Sequence, residues 1–357
     1  MKPEPGSEPI TLEAEGRSCL IEALAEGLEG RLRGLTKDRR GLMLLDQAFA
    51  SEAGQWAAAL PGFRIIFTRQ SGEAAKTLDE ARLILEELAR DKLARDDWLI
   101  VRGGGSLTDL GAFCAGLYRR GLKLILVPTT LLGAVDAAVG GKTAVNFVGA
   151  KNQIGHFYLP EQVLVDLASF RSLPAERLAE GLVEAYKTGL LFDPDLAALV
   201  ENESAALLAG EANLVAELVR RSYTAKAALV ALDFREEKGL RDVLNLGHTY
   251  GHVVESFHAP DLSHGRAVAF GLAVAADLSR RLGFLAGAEA ERIIETSGRL
   301  ARPWPALPPE ETALSLLMTD KKIRGDQLRF VVLEAPGRPR LVEVAADALI
   351  RTAEGIK

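Results

Sequence analysis

Over the first half of the chain, short apolar runs alternate with amphipathic stretches. Gly41–Leu45, Phe63–Thr68, Trp98–Arg102, Leu122–Val127 and Gln162–Asp166 are each bounded by turn-forming or charged residues. That alternation predicts a parallel α/β sheet. Between the runs, Thr77–Leu93 repeats apolar residues at helical spacing with charges on the other face, which predicts a crossover helix. After Leu173-Pro174 the texture changes to long Ala/Leu/Glu/Arg-rich segments at helical periodicity, with no comparable strand pattern before Arg329–Leu333. The pattern therefore predicts two domains, a nucleotide-binding α/β domain over 1–172 and a mostly α-helical domain over 173–357. The length of 357 residues agrees, being more than one core usually serves.

Composition narrows the function classes. With 48% hydrophobic and 26% charged residues the chain has the balance of a globular protein, and its net charge of −6 is spread without a long basic run, so nothing calls for nucleic acid. Only Cys19 and Cys114 occur, too few for a disulfide framework or a cysteine-based zinc site. Any metal must then be held by histidine and carboxylate. No apolar stretch reaches the roughly 18 residues needed to span a bilayer, and the first residues are acidic and proline-rich. The expectation is a cytoplasmic protein with no membrane partner.

Three stretches carry chemistry. WLIVRGGGSLTDLGAFCAG runs from a buried strand through Gly103, Gly104 and Gly105 into a helix. Backbone N–H groups at such a turn approach a phosphate at the positive end of the helix, although a glycine-rich βα turn also serves simply as a tight turn. VPTTLLGAVDAAVGGKTAVNFVGAKNQIGHFY places Asp136, Lys142, Asn146, Lys151 and Asn152 in an otherwise apolar setting. Its lysines suit a substrate phosphate, with the Asn152 amide to orient it.

VLNLGHTYGHVVESFHAPDLSHGRAVAFG holds four of the five histidines. His248 and His252 are four apart, so on a helix they share a face with Glu255. This is a candidate metal or proton-transfer site. The zincin pattern requires Glu after the first histidine and Thr249 stands there, so a metalloprotease is disfavoured. His258 reads as a helix-end residue and His156 as a packing residue. A catalytic site of this kind wants a carboxylate ligand too, and Glu184 is a candidate, although it also reads as an ion pair with Lys187 one turn on.

Together GGGSLTDLGAF, YRRGLKLILVPTTLLGAVDAAVGGKTAVN, KNQIGHFYLPEQVLVD, LVEAYKTG, GLRDVLNLGHTYGH, HGRAVA and DKKIRGDQLRFVVL resemble the 3-dehydroquinate synthase family of sugar phosphate cyclases over nearly the whole chain. The resemblance implies a Rossmann-like NAD-binding domain followed by a helical metal-binding domain. It implies Glu184, His248 and His264 as ligands of a divalent metal, zinc or alternatively cobalt, and moves His252 to substrate contact and proton transfer. Asp136, Lys142, Asn152, Lys187, Lys226, Arg241, Asn245 and one of Lys321 and Lys322 match substrate-binding positions, with Lys322 favoured. Arg120 matches an arginine supplied to a neighbouring subunit, which implies a homodimer. Asp46, Glu73, Lys76, Gly104, Gly105, Ser106, Asp109, Thr129, Thr130 and Lys151 fall on NAD contacts. His252, Glu237, Lys142 and Arg241 are cast in the chemistry, Glu237 as an acid/base.

The implied reaction converts 3-deoxy-D-arabino-heptulosonate 7-phosphate to 3-dehydroquinate and phosphate in the shikimate pathway. It proceeds by NAD-mediated oxidation, β-elimination, reduction and intramolecular aldol closure. Departures from the family pattern are Ser106 and Thr108 in the glycine turn, Tyr186 and Thr188 in the Glu184 motif, and Arg266 where a glutamate is usual. Another sugar phosphate, a heptulose 7-phosphate or glucose 6-phosphate, is the alternative they raise. A metal- and NAD-dependent polyol dehydrogenase shares the glycine turn, but the polar cluster around Lys142 and Asn152 argues against it. A non-catalytic relative is disfavoured by the complete ligand set.

Overall fold

In the computed structural model, which describes residues 9–318, 323–324 and 327–356, the apolar runs become four inner strands and one edge strand of a sheet. In chain order come β1 (Ile10–Ala14), β2 (Arg17–Leu24), α1 (Leu28–Leu35), β3 (Gly41–Leu45), α2 (Ala53–Ala59), β4 (Phe63–Phe67), α3 (Leu78–Arg90), β5 (Trp98–Gly103), α4 (Gly105–Leu117) and β6 (Lys123–Pro128). They are followed by β7 (Lys142–Phe147), β8 (Ala150–Phe157), β9 (Gln162–Asp166), α5 (Ala175–Phe192), α6 (Pro194–Leu208), α7 (Ala212–Leu232), α8 (His248–Phe257) and α9 (His264–Arg281). The last elements are α10 (Gly287–Ala301), α11 (Glu310–Met318), β10 (Ile323–Arg324), β11 (Gln327–Ala335), β12 (Arg338–Ala345) and α12 (Ala346–Glu354).

The chain divides into two compact units, Met1–Leu173 with Val215–Glu237, and Pro174–Leu214 with Lys238–Lys357. The first contains a seven-stranded sheet ordered β1-β2-β9-β6-β5-β3-β4, parallel except for the β1/β2 pair. Every residue of β3 and β5 is buried, which is why these strands read as unbroken apolar runs rather than as an alternation. Met43, Leu45, Ile100, Ile125, Val127 and Leu164 form one core with Leu28 and Leu32 of α1 and Trp56 of α2. Full burial of such side chains stabilises by roughly 1.5–3 kcal/mol each relative to exposure. Helix α3 starts where Thr77 accepts from the Glu80 amide, a serviceable cap just before the apolar face begins.

The sequence pattern predicts a single boundary at 172/173, whereas the chain returns to the first unit at Val215–Glu237. The return is held by polar and aromatic contacts inside that unit. Lys226 Nζ lies 2.6 Å from Asp136 Oδ1. Phe234 packs on Phe157 with ring centroids 5.6 Å apart and covers Gly141, where a Cβ would fall 2.4 Å from the Phe234 ring.

The second unit is mostly helical, with the antiparallel sheet β10-β11-β12 at its end of the chain. Helix α9 is apolar almost all round and correspondingly buried. Its small residues set how closely its neighbours approach. A Cβ on Gly271 would lie 1.7 Å from the Gly247 carbonyl oxygen, and one on Gly265 would lie 2.5 Å from Glu180 Cα in α5. The first contact brings α8 against α9 and the second brings the start of α9 against α5. Among the described residues, no helix is long and apolar enough to cross a membrane.

Candidate functional site

The first unit gathers polar residues beyond the carboxyl ends of its parallel strands, where ligands of open α/β sheets bind. Asp46 follows β3, Gly103 to Gly105 link β5 to α4, and Thr129 and Thr130 follow β6. The glycine turn is tight for packing reasons too. A Cβ on Gly103 would meet the Leu107 side chain at 2.6 Å, and one on Gly105 would meet Ala137 Cβ at 3.1 Å. Thr129 N donates to Gly103 O at 2.9 Å, which fastens the end of β6 to the turn, and Gly133 N donates to Thr130 Oγ1 at 3.1 Å just beyond it. Ser106 stands in the first turn of α4, where its hydroxyl donates to Glu73 Oε2 at 2.5 Å. Asp46 accepts from the amides of Ala48 and Gly72 at 2.9 and 3.0 Å.

Lys76 lies at the centre of a second group. Its Nζ is 2.5 Å from Asp109 Oδ2 and 2.6 Å from Asn152 Oδ1. Burial raises the Asp109 carboxyl above the ordinary aspartate range, and the Lys76 ammonium opposes this. The β7–β8 hairpin enters the group through Asn146, whose Nδ2 donates to Glu73 Oε1 at 2.7 Å and whose Oδ1 accepts from Asn152 N at 3.0 Å. Asn152 is left-handed, φ 55°, a conformation asparagine tolerates better than most residues. Lys151 is exposed on β8. Asp136 sits in the wide turn Gly133–Ala137, in which Ala138 N donates five residues back to Gly133 O.

Other predicted positions stand apart. Arg120 is exposed at the far end of α4 from the glycine turn, within three consecutive left-handed residues, Arg119 (φ 49°), Arg120 (φ 63°) and Gly121 (φ 126°). Lys142 pairs with Glu236, while Glu237 is exposed beside it in the chain. Glu236 escaped the sequence reading because only the return of Val215–Glu237 brings it to the hairpin. Lys321 and Lys322 lie outside the described residues.

In the second unit Glu184, His248 and His264 bring one ligand atom each to within 4.8 Å of one another. Glu184 projects from α5 and is 1% exposed, with Lys187 Nζ 2.5 Å from its Oε2. His248 Nε2 and His264 Nε2 lie 3.6 and 3.4 Å from its Oε1. Neither carboxylate oxygen accepts a well-formed hydrogen bond. Burial opposes ionisation of Glu184, yet Lys187 and the two histidines outweigh it and hold its pKa well below the ordinary value. Burial and Lys187 hold the His248 pKa well below its ordinary value. Burial lowers that of His264 as well, but the carboxylates of Glu184 and Glu255 beside it win and raise it to about 10. A buried, under-bonded carboxylate faced by two imidazole nitrogens is a donor set that could hold a divalent cation.

His252 stands beside the triad, its ring centroid 5.3 Å from that of His248 and 6.3 Å from that of His264. Arg241 is buried in the helical turn Leu240–Asn245, and Asn245 Nδ2 donates to Asp242 O at 2.8 Å. His258 ends α8, with Nε2 2.7 Å from Ala306 O, and His156 stacks on Phe113 in the first unit.

Comparison with known proteins bears on the whole chain. The family model described as 3-dehydroquinate synthase N-terminal matches residues 66–180, and that described as 3-dehydroquinate synthase C-terminal matches residues 181–323. The chain belongs to the 3-dehydroquinate synthase family. It is 40% identical over 286 residues to the 3-dehydroquinate synthase of Paenarthrobacter aurescens (strain TC1), covering 78% of this chain and 77% of that one. It is 39% identical over 340 residues to that of Methylococcus capsulatus (strain ATCC 33009 / NCIMB 11132 / Bath), covering 93% and 90%. Among solved structures, a 2-epi-5-epi-valiolone synthase from Streptomyces hygroscopicus subsp. jinggangensis 5008, with NAD+ and Zn2+ bound, superposes with a TM-score of 0.85. That likeness has 26% identity and covers 97% of this chain and 98% of that one.

The departures from the 3-dehydroquinate synthase pattern have local structural roles. Arg266 turns to the end of α10, donating from Nε to Ala301 O at 3.4 Å and from Nη2 to Pro303 O at 2.6 Å. Tyr186 is fully buried, its hydroxyl donating to Glu201 Oε1 at 2.8 Å. Thr108 Oγ1 donates to Gly105 O at 2.9 Å, within the first turns of α4.

Proposed function

We infer that this chain is a 3-dehydroquinate synthase, the carbocycle-forming lyase that turns 3-deoxy-D-arabino-heptulosonate 7-phosphate into 3-dehydroquinate and phosphate in the shikimate pathway. One observation carries the reading: 39% identity to a protein of that name across 93% of this chain. The donor set Glu184, His248 and His264 supports a divalent metal, zinc by its mixture of imidazole and carboxylate or cobalt in its place. The glycine turn entering α4 supports NAD. When bound, NAD would take up and return a hydride at a secondary hydroxyl of the substrate, and the metal would polarise that hydroxyl as a Lewis acid.

The residues of the chain do the holding and the proton work. Gly104, Gly105 and Ser106 offer N–H groups to the pyrophosphate at the positive end of α4, with Asp46, Glu73, Lys76, Asp109, Thr129, Thr130 and Lys151 around the nucleotide. Lys142 and Asn152 on the hairpin, with Asp136 and Lys226, bind the sugar phosphate and neutralise the departing phosphate. In the second unit Lys187, Arg241, Asn245 and Lys322 or Lys321 bind substrate. Arg241 suits the substrate carboxylate, because a buried guanidinium favours a planar anionic partner. His252 moves the proton, and Glu237 is read as an acid/base.

The assembly is read as a homodimer in which Arg120 serves a second copy. An exposed arginine on a turn of left-handed residues, away from the other candidates of its own unit, supports this. The place of work is the cytoplasm, a reading supported by two buried cysteines that form no disulfide.

The heptulosonate is preferred over other sugar phosphates because Arg266 and Tyr186 serve helix packing, while Lys226 and Arg241 are retained. The test supplies NAD, Zn2+ or Co2+ and each candidate sugar phosphate separately, and follows phosphate release and the ring product. Release with the heptulosonate phosphate alone is expected. Release with a heptulose 7-phosphate or glucose 6-phosphate alone would assign a sister cyclase, and accumulating NADH a dehydrogenase.

A further inference from the structure

Glu255 is a buried carboxylate on the same face of α8 as His248 and His252, and the reading above gives it no task. Its Oε2 lies 3.1 Å from His264 Nδ1, while Nε2 of the same ring points to Glu184 Oε1 at 3.4 Å. His248 repeats the arrangement with a different acceptor. Its Nδ1 lies 3.2 Å from the Leu246 carbonyl and its Nε2 lies 3.6 Å from Glu184 Oε1. Both rings therefore turn Nε2 to the shared carboxylate and Nδ1 to an oxygen that can only accept.

A neutral imidazole carries one N–H. An acceptor at Nδ1 keeps the proton there and leaves the Nε2 lone pair for a cation, and it also fixes the rotation of the ring. The Leu246 carbonyl is backbone and fixed by the turn into α8, whereas Glu255 is a side chain and so a point of choice. It is only 8% exposed, in surroundings where a hydrogen bond is stronger than in water.

We propose that Glu255 is a positioning residue that holds His264 in the Nδ1–H tautomer and at the ring orientation that turns Nε2 to the metal. The proposal rests on Glu184, His248 and His264 being the ligands. His252, Glu255 and His264 also bring ligand atoms within 4.8 Å of one another, but a cation held there would displace the Nδ1 proton that the proposal keeps in place. One metal per chain is thus part of the proposal.

The test measures Co2+ binding to the metal-stripped full chain by equilibrium dialysis, together with the visible spectrum of bound Co2+. Native protein, His264→Ala, Glu255→Ala and Glu255→Gln are compared, with urea midpoints of the metal-free forms as a folding control. Native protein should bind one Co2+ and His264→Ala should lose it. Glu255→Ala should bind about 10–100-fold more weakly with an altered spectrum, the range typical of such outer partners. Glu255→Gln, whose amide oxygen still accepts from Nδ1–H, should recover part of that loss at an unchanged urea midpoint. Should Glu255→Ala not fold, Glu255→Asp, one methylene too short to meet Nδ1, takes its place.

Native affinity in the Ala variant, with His264→Ala still failing to bind, overturns the role of Glu255 alone. Equal losses in the Ala and Gln variants remove orientation as the cause and overturn it too. A second Co2+ that disappears with Glu255 would make it a ligand instead. Retention of Co2+ by His264→Ala overturns the ligand assignment beneath the proposal.

Discussion

The polar groups of the candidate site in the first unit bond mainly to one another: Lys76 to Asp109 and Asn152, Glu73 to Ser106 and Asn146, Lys226 to Asp136. In the second unit Glu184 is almost fully buried, and neither of its oxygens accepts a well-formed hydrogen bond. A bonded network holds its shape without a ligand, because each desolvated group already has a partner. An under-bonded buried carboxylate instead costs several kcal/mol, offset by the cations brought to it, here Lys187 and, on the reading proposed above, a divalent metal. The candidate nucleotide site is thus shaped by polar groups that bond one another, and the candidate metal site by a buried carboxylate whose neighbours leave its hydrogen-bonding capacity unfilled.

The hardest test of that contrast is His264→Ala. Turnover should fall on the order of 10³-fold, as the loss of several kcal/mol of charge stabilisation implies. NAD affinity, measured by fluorescence quenching, should stay within about twofold of native, since 1.4 kcal/mol would already be tenfold. A parallel collapse of NAD binding would show that the two sites do not stand independently.

A smaller effect separates two adjacent glutamates. Glu237→Gln should lower kcat about 10²-fold if it moves a proton, and Glu236→Gln, which frees Lys142 from its ion pair, should act mainly on KM. The opposite split would transfer the acid/base role to Glu236.

The smallest effect is a pH slope in the first unit. Burial raises the Asp109 pKa, so the folded chain holds a proton that the unfolded chain has released above about pH 4. Stability from this group is fully present below that pH and is lost as pH rises through the raised value. Asp109→Asn should flatten urea midpoints across that window, and an unchanged slope would deny the raised pKa.

What could be read in advance follows from locality. Five apolar runs became β3, β4, β5, β6 and β9 within a residue or so; the buried inner strands leave a continuous apolar record, and the edge strand β4 is marked by its β-branched and aromatic residues. The β7–β8 hairpin left no such record, since β8 is largely exposed and its residues were chosen for polar contacts. The grouping of His248 with His252 and Glu255 is legible as helix spacing. Glu184 is less so, because its approach to His248 spans α6, α7 and the segment between, so the residues alone left it between a ligand and an ion pair with Lys187, and the family motif favoured the ligand. The roles of Arg266 and Glu236 were likewise invisible, being set by elements distant in the chain.

The return of Val215–Glu237 to the first unit bears on how this chain is made. Asp136 finds Lys226 at a separation of 90 positions in sequence, so a growing chain that has just emitted β9 still lacks part of the unit to which β9 belongs. Closing so long a loop is slow, and in the meantime Asp136 and Gly141 are without the side chains that cover them in the finished protein. A gene fragment cut after Leu173 would encode an incomplete body rather than a portable nucleotide-binding module.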